Sequence, residues 1–262
     1  MVKTRIEMAR EAFKKNDFNK AREAHQKGAI IQGIHHEPHT KFSLSDIILG
    51  GQDGLVNVLG VILGVAAASS EVRLVLAAGF AAAFAESVSM GAVAYTSTIS
   101  DLDHYQSELK REMWEIEHFP KEEAEEIKQI YILRGFKGQL LQDTVKTITG
   151  NKKIWLDVMM EEELKLTPIE KSHAFRSAFI VGISAIIGSI IPLLPFLFLP
   201  ISTSIPASII LAAVVLFIAG VYKAKVTIGS PAKSGLELMF IGIVSALVGY
   251  LIGSLFKATP TT

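Results

Sequence analysis

A carboxylate in the middle of an apolar run is the first residue of this chain that can do chemistry. Asp53 lies in SDIILGGQDGLVNVLGVILGVAAA, residues 45–68, about 13 Å along a helix at 1.5 Å per residue. An ionised side chain at bilayer depth costs on the order of 3 kcal/mol, so one that persists faces a partner, a cavity or a passing ion. A second run, VRLVLAAGFAAAFAESVSMGAVAYTS at 72–97, holds Glu86 as the single ionisable residue of its interior, about 18 Å from Leu74 by helical rise. Met90 follows four residues on, which puts a thioether and a carboxylate on one helix face. That pair suits a late first-row divalent ion such as Fe²⁺ better than Ca²⁺ or Mg²⁺, which take all-oxygen cages. The plainer alternative is a Glu86 that is protonated or bonded to a neighbouring helix, with Met90 filling space.

A third set lies between apolar runs, in DLDHYQSELKREMWEIEHFPKEEAEEIKQI and, further on, NKKIWLDVMMEEELKLTP. Glu108, Glu112 and Glu115 fall on one helical face, and Glu122, Glu123 and Glu126 repeat the pattern after Pro120, which starts a new helix. Like charges one turn apart destabilise an isolated helix, so such a face points to cation binding or to pairing with lysines. Met159 and Met160 beside Glu161, Glu162 and Glu163 add thioethers to carboxylates. An ordinary charged helical surface is the competing reading. The sequence has no cysteine, which excludes disulfides and thiolate ligands. No EF-hand loop, P-loop or nucleophile motif is present, and no basic aromatic surface for nucleic acid.

The elements that must hold these residues are helices in a membrane. The 262 residues are 50% hydrophobic and 20% charged, with a mean hydropathy of +0.38, too apolar for an ordinary soluble domain. Five apolar spans, about 44–68, 73–98, 174–199, 205–222 and 236–256, reach or approach the roughly 20 residues needed to cross a hydrocarbon core. A short SSEVR loop makes the first two antiparallel, and Pro192, Pro195, Pro200 and Pro206 mark kinks and a turn between the third and fourth. Small residues spaced by four, Gly50 with Gly54, Gly60 with Gly64 and Gly249 with Gly253, predict close helix packing, including contacts between copies; Gly50 and Gly51 are also placed to loosen the first helix.

The chain falls into four segments: a soluble helical hairpin over 1–40, spans one and two over 41–99, an acidic helical insert over 100–172, and spans three to five over 173–262. Segment 1–43 is net +4 and segment 100–172 net −5. Lysines at the N-terminus, in the insert and at Lys223, Lys225 and Lys233 fall on one side of a five-span topology, which the positive-inside rule makes the cytosol. Charges from Lys3 onward predict no cleavable signal peptide. NDFNKAREAHQKGAI is similar to half of a tetratricopeptide unit without a second copy, and His35, His36 and His39 form a histidine-rich linker that is solvated or binds metal.

Several strings together resemble one family, the vacuolar iron transporters. They are DIILGGQDGL in span one, SMG at Ser89–Gly91, DHYQSELKRE at 103–112, WLDVMMEEELKL at 155–166, IPLLPF at 191–196 and SGLELMFIGIVSA at 234–246, and the resemblance covers about 42–257. It implies an all-α membrane protein, a homodimer of five-helix protomers with a cytosolic helical metal-binding insert between helices two and three. The implied activity is exchange of Fe²⁺, with Mn²⁺ or Zn²⁺ as further ions, for protons. It also implies that Asp53 and Met90 serve a membrane ion site, and that Glu112, Glu115, Glu123, Glu126, Met159 and Glu163 serve the insert, with Glu161 in the acidic place beside Met160. One departure stands out: the family carries glutamate where this chain has Ala82 and a small residue at Glu86, so the carboxylate has moved one turn. The implied location is the cell membrane in a prokaryote or a vacuolar-type membrane in a eukaryote, N-terminus and insert in the cytosol. The rival functions are a membrane-anchored metal buffer or sensor and, more remotely, a di-iron enzyme, whose Glu-to-His pairing is approached only by Glu115 with His118.

Overall fold

A computed structural model describes residues 44–69, 71–226 and 229–256, with Lys15, Asp17, Asn19 and Glu23. The hairpin and histidine expectations for 1–40 lie outside these residues. The chain divides into two units, Met1–Ser43 and Leu44–Thr262. In the second, the described residues form helices joined by short turns, and among them there is no strand.

The elements are α1 (Leu44–Ala68), α2 (Val72–His118), α3 (Pro120–Leu133), α4 (Gly138–Thr149), α5 (Lys152–Val158) and a π-helical turn (Met159–Glu163). Then come α6 (Lys171–Ile190), a 3₁₀ turn (Ile191–Leu193), α7 (Leu194–Phe198), α8 (Ile201–Val226) and α9 (Pro231–Leu255). Five stretches, α1, α2, α6 through α7, α8 and α9, are long and apolar enough to cross a membrane, as the spacing of apolar runs predicts. The second runs on without a break, so span two and the first helix of the insert are one rod of 47 residues.

Helix α1 is the hub of the bundle, packed against α6, α9, α2 and α8. Its Leu55, Val58, Leu59, Ile62 and Leu63 are buried with Phe196 and Leu216. The spaced glycines explain how α1 carries so many neighbours. A Cβ on Gly249 would strike the Gly60 carbonyl, one on Gly253 the Gly64 carbonyl, and one on Gly188 the Gly51 carbonyl. Backbones meet there with no side chain between them, where dispersion and shape replace the hydrophobic drive that lipid does not supply. These glycine contacts are made within the chain. Gly50 and Gly51 leave α1 an unbroken helix.

The proline-rich segment ends α6 in the 3₁₀ turn and the short α7. Serine hydroxyls of α8 tie this segment down where lipid offers no hydrogen bond. Ser208 Oγ donates to the Pro192 carbonyl at 2.6 Å, and Ser204 Oγ lies 3.1 Å from the Pro195 carbonyl. Pro206 sits inside α8 without ending it.

The insert has a small core of its own, made of Ile116, Ile127, Ile148, Trp155 and Met159. Pro120 takes the first turn of α3, where its missing N–H costs nothing. Asn151 caps α5, its side-chain oxygen accepting from the Lys153 and Ile154 amides at 3.0 and 3.3 Å.

Candidate metal centres

The outer centre is built on the end of α2. Glu108, Glu112 and Glu115 line one face there, and α3 brings up Glu123 while the π turn brings up Glu163. Glu112 is 1% exposed and Glu123 5% exposed, and each keeps one carboxylate oxygen buried without a hydrogen-bond partner. Glu123 faces Glu126, Glu112, Glu115 and Glu163, and Glu163 faces Glu126 and Glu112. Burial first, and then these like charges, push the Glu123 carboxyl up to about 7. Half-exposed Arg111 holds this crowd from one side. Its guanidinium meets Glu112 at 2.6 Å and Glu108 at 2.9 Å, and also pairs with Glu115.

Met159 and Met160 are fully or almost fully buried. The π turn is read in the backbone, where the Leu164 amide donates to the Met159 carbonyl at 3.1 Å, and Lys165 leaves it with φ 58°. A widened turn of this kind recurs at functional sites because it rephases the side chains that follow. Three neighbouring acids in the turn then go three ways. Glu163 joins the cluster, Glu162 pairs with Arg134 and, at 3.6 Å, with Lys165, and exposed Glu161 faces Tyr105 beside Asp157. Thus Glu112, Glu115, Glu123, Glu126 and Glu163 are brought together, and Glu161 stands apart from them. Met159 packs in the core of the insert.

The inner centre lies between α1 and α2. Asp53 and Asn57 face the Glu86 carboxyl. Glu86 is 8% exposed, and neither of its oxygens has a partner in strict hydrogen-bond geometry. Met90 is half-buried one turn further along α2 on the same face. Asp53 and Asn57 are exposed on α1, so this oxygen-lined spot opens on an uncovered face of a spanning helix. Ala82, at the position that the resemblance makes acidic, packs on the bundle core. Near the start of α1, Asp46 accepts a hydrogen bond from Ser177 at 2.8 Å.

Among the described residues no group of three or more His, Asp or Glu side chains is a ready-made ligand cage. In the outer centre three carboxylates are taken up by Arg111; the inner centre has only two, with an amide and a thioether beside them. Both arrangements leave buried carboxylate oxygens that are costly until a cation or proton arrives.

Two residues escaped the reading of the sequence. Asn57 has a usable signal, an amide one turn from Asp53 in an otherwise apolar run. Arg111 has a weaker one, because a basic residue among acids shows its partner only in three dimensions.

Residues 44–254 match the VIT family. The chain belongs to that family. Its relatives include Vacuolar iron transporter 1 of Arabidopsis thaliana, 34% identical over 213 residues, which are 81% of this chain and 85% of the relative. The Oryza sativa subsp. japonica protein of the same name is 34% identical over 227 residues, 85% of this chain and 90% of its own length. The Vacuolar iron transporter of Plasmodium berghei (strain Anka) is 30% identical over 269 aligned positions, 98% of each chain. That last alignment extends into the N-terminal segment, which the motif resemblance leaves out. The relatives are transporters, and this VIT-family chain is a membrane protein with no place among enzymes.

Proposed function

We propose that this protein carries Fe²⁺ out of the cytosol across its membrane in exchange for protons, with Mn²⁺ and Zn²⁺ as further ions it can hold. The observation that carries the reading is the Glu86 carboxyl, buried in a membrane-spanning segment with Asp53 and Asn57 beside it and no well-aligned hydrogen bond to either oxygen. A membrane anchor has no use for such a group; a carrier needs it to alternate between ion and proton. The names of the relatives support iron as the cargo.

The insert glutamates collect ions at the cytosolic mouth, where charge and proximity raise the local concentration. Asp53, Glu86 and Met90 then ligate the ion in the pathway. Ligation needs ionised carboxylates, so proton arrival from the acidic side releases the metal. Two copies complete the protein: Asp53 and Asn57 lie on an uncovered face of α1, and polar groups at bilayer depth call for a protein neighbour. The N-terminus and insert face the cytosol, in keeping with the lysine distribution, and a vacuolar-type membrane fits the eukaryotic relatives.

Fe²⁺ flux into proteoliposomes under an imposed pH gradient tests this, with wild type beside Glu86→Ala. Gradient-driven uptake that disappears in the variant is the expected result. Metal binding without any flux in wild type would favour a membrane-anchored buffer or sensor, the reading that the outer centre taken alone supports.

A further inference from the structure

Asn57 has no part in the sequence motifs, yet its position in the fold is specific. It lies one turn beyond Asp53 on α1, about 6 Å by helical rise, and both side chains face Glu86 across the contact between α1 and α2. An amide set in hydrocarbon without a partner is costly, and this one is exposed on its helix. Directly opposite, a carboxyl more than nine-tenths buried has two oxygens that receive no well-aligned hydrogen bond. Three polar side chains thus converge on one spot, Asn57 and Asp53 reaching the Glu86 carboxyl while its two oxygens receive no well-aligned bond, as groups do around a guest.

We propose that Asn57 is a ligand of the transported divalent cation, supplying the uncharged oxygen of a site whose charged members are Asp53 and Glu86. Charge balance is the reason for an amide at this place. Within one protomer two carboxylates cancel a divalent ion, so the loaded site is neutral where charge is most expensive. A third oxygen donor has to add coordination without adding charge, and the asparagine carbonyl does this. A third carboxylate would leave the loaded site at −1 and bind the ion too firmly to let it go.

The inference rests on the inner centre being the ion pathway, and the experiment separates the two. Initial rates of Fe²⁺ flux into anaerobic proteoliposomes give KM and kcat for wild type, Asn57→Ala, Asn57→Ser, Asn57→Asp and the double variant Asp53→Ala/Glu86→Ala. Asn57→Ala is expected to raise KM about tenfold, in the range typical of weakened metal sites. Asn57→Ser, which keeps a neutral oxygen on a shorter stem, falls between it and wild type. Asn57→Asp preserves the shape but adds a charge, and is expected to hold KM at or below wild type while lowering kcat about tenfold through slow release. A packing role predicts the reverse order, with the isosteric aspartate nearest to wild type. Wild-type kinetics in Asn57→Ala, or in Asn57→Asp, overturn the assignment. If Asn57→Ala fails to reach the membrane, Asn57→Ser against Asn57→Asp makes the same decision. A dead double variant beside a normal Asn57→Ala sinks only this inference; a double variant that transports normally sinks the pathway with it.

Discussion

The two centres use the same side chain under opposite conditions. In the insert, Glu108, Glu112 and Glu115 crowd together because Arg111 stands among them and water reaches the rim. Between α1 and α2, the described residues set against Glu86 are Asp53 and the amide of Asn57, with the polarizable Met90 one turn along its helix. The outer centre can therefore be rich in charge and tolerant of losing a member. The inner one is sparse, and each group in it counts. Under the proposed function, this difference is a division of labour in which a collecting site gathers ions and a translocating site passes them on.

The largest effect should come from the inner side. Glu86→Ala is expected to reduce gradient-driven Fe²⁺ flux at least about a hundredfold, a barrier of about 2.7 kcal/mol, while calorimetric titration of the same protein with Fe²⁺ still shows the insert binding. A variant that transports normally would erase the contrast between the centres. The outer side should respond more gently. Glu123→Gln is expected to raise KM for Fe²⁺ several-fold with kcat nearly unchanged, because it removes binding shared by ground and transition states; equal losses in kcat would make the outer centre part of translocation.

The third effect is one of pH. The Glu123 carboxyl, held up to about 7 by burial and neighbouring acids, ionises at a higher pH folded than unfolded. Its contribution to the metal-free fold is thus fully present below the ordinary carboxylate value near 4.5 and is lost as pH rises through about 7. Thermal melting of the full chain in detergent with chelator should give an insert that melts higher at pH 5 than at pH 8. Glu123→Gln should shrink that difference, leaving the part due to Glu163, also held up to about 7, and Fe²⁺ should restore stability at pH 8 by supplying the missing countercharge. The smallest effect serves as a control. Asn151→Ala removes the cap of α5 and should cost the insert about 1 kcal/mol, seen as a lower melting temperature with flux at saturating Fe²⁺ unchanged.

Much of this molecule is written locally. Apolar runs of bilayer length, Pro120 at a helix start, the spaced glycines and a lone Glu86 in span two are each visible in short windows, because membrane solvent imposes one rule on every spanning segment: satisfy the backbone within the helix. The insert acids are visible in the same way, as helical faces. Which acids share a centre was not visible. Glu161, Glu162 and Glu163 are neighbours in sequence, yet only the π turn and the packing of Met159 decide that Glu163 meets Glu126 while Glu162 turns to Arg134 and Glu161 to Tyr105. The glycine pairs announced close packing but not their partners, which proved to be carbonyls of the same chain. Asn57 faces Glu86 only because α1 and α2 run antiparallel at one register. Sequence alone determined the medium, the helices and the candidate side chains; tertiary structure decided which of them meet, since pairing across helices depends on rotation and register that no single helix contains.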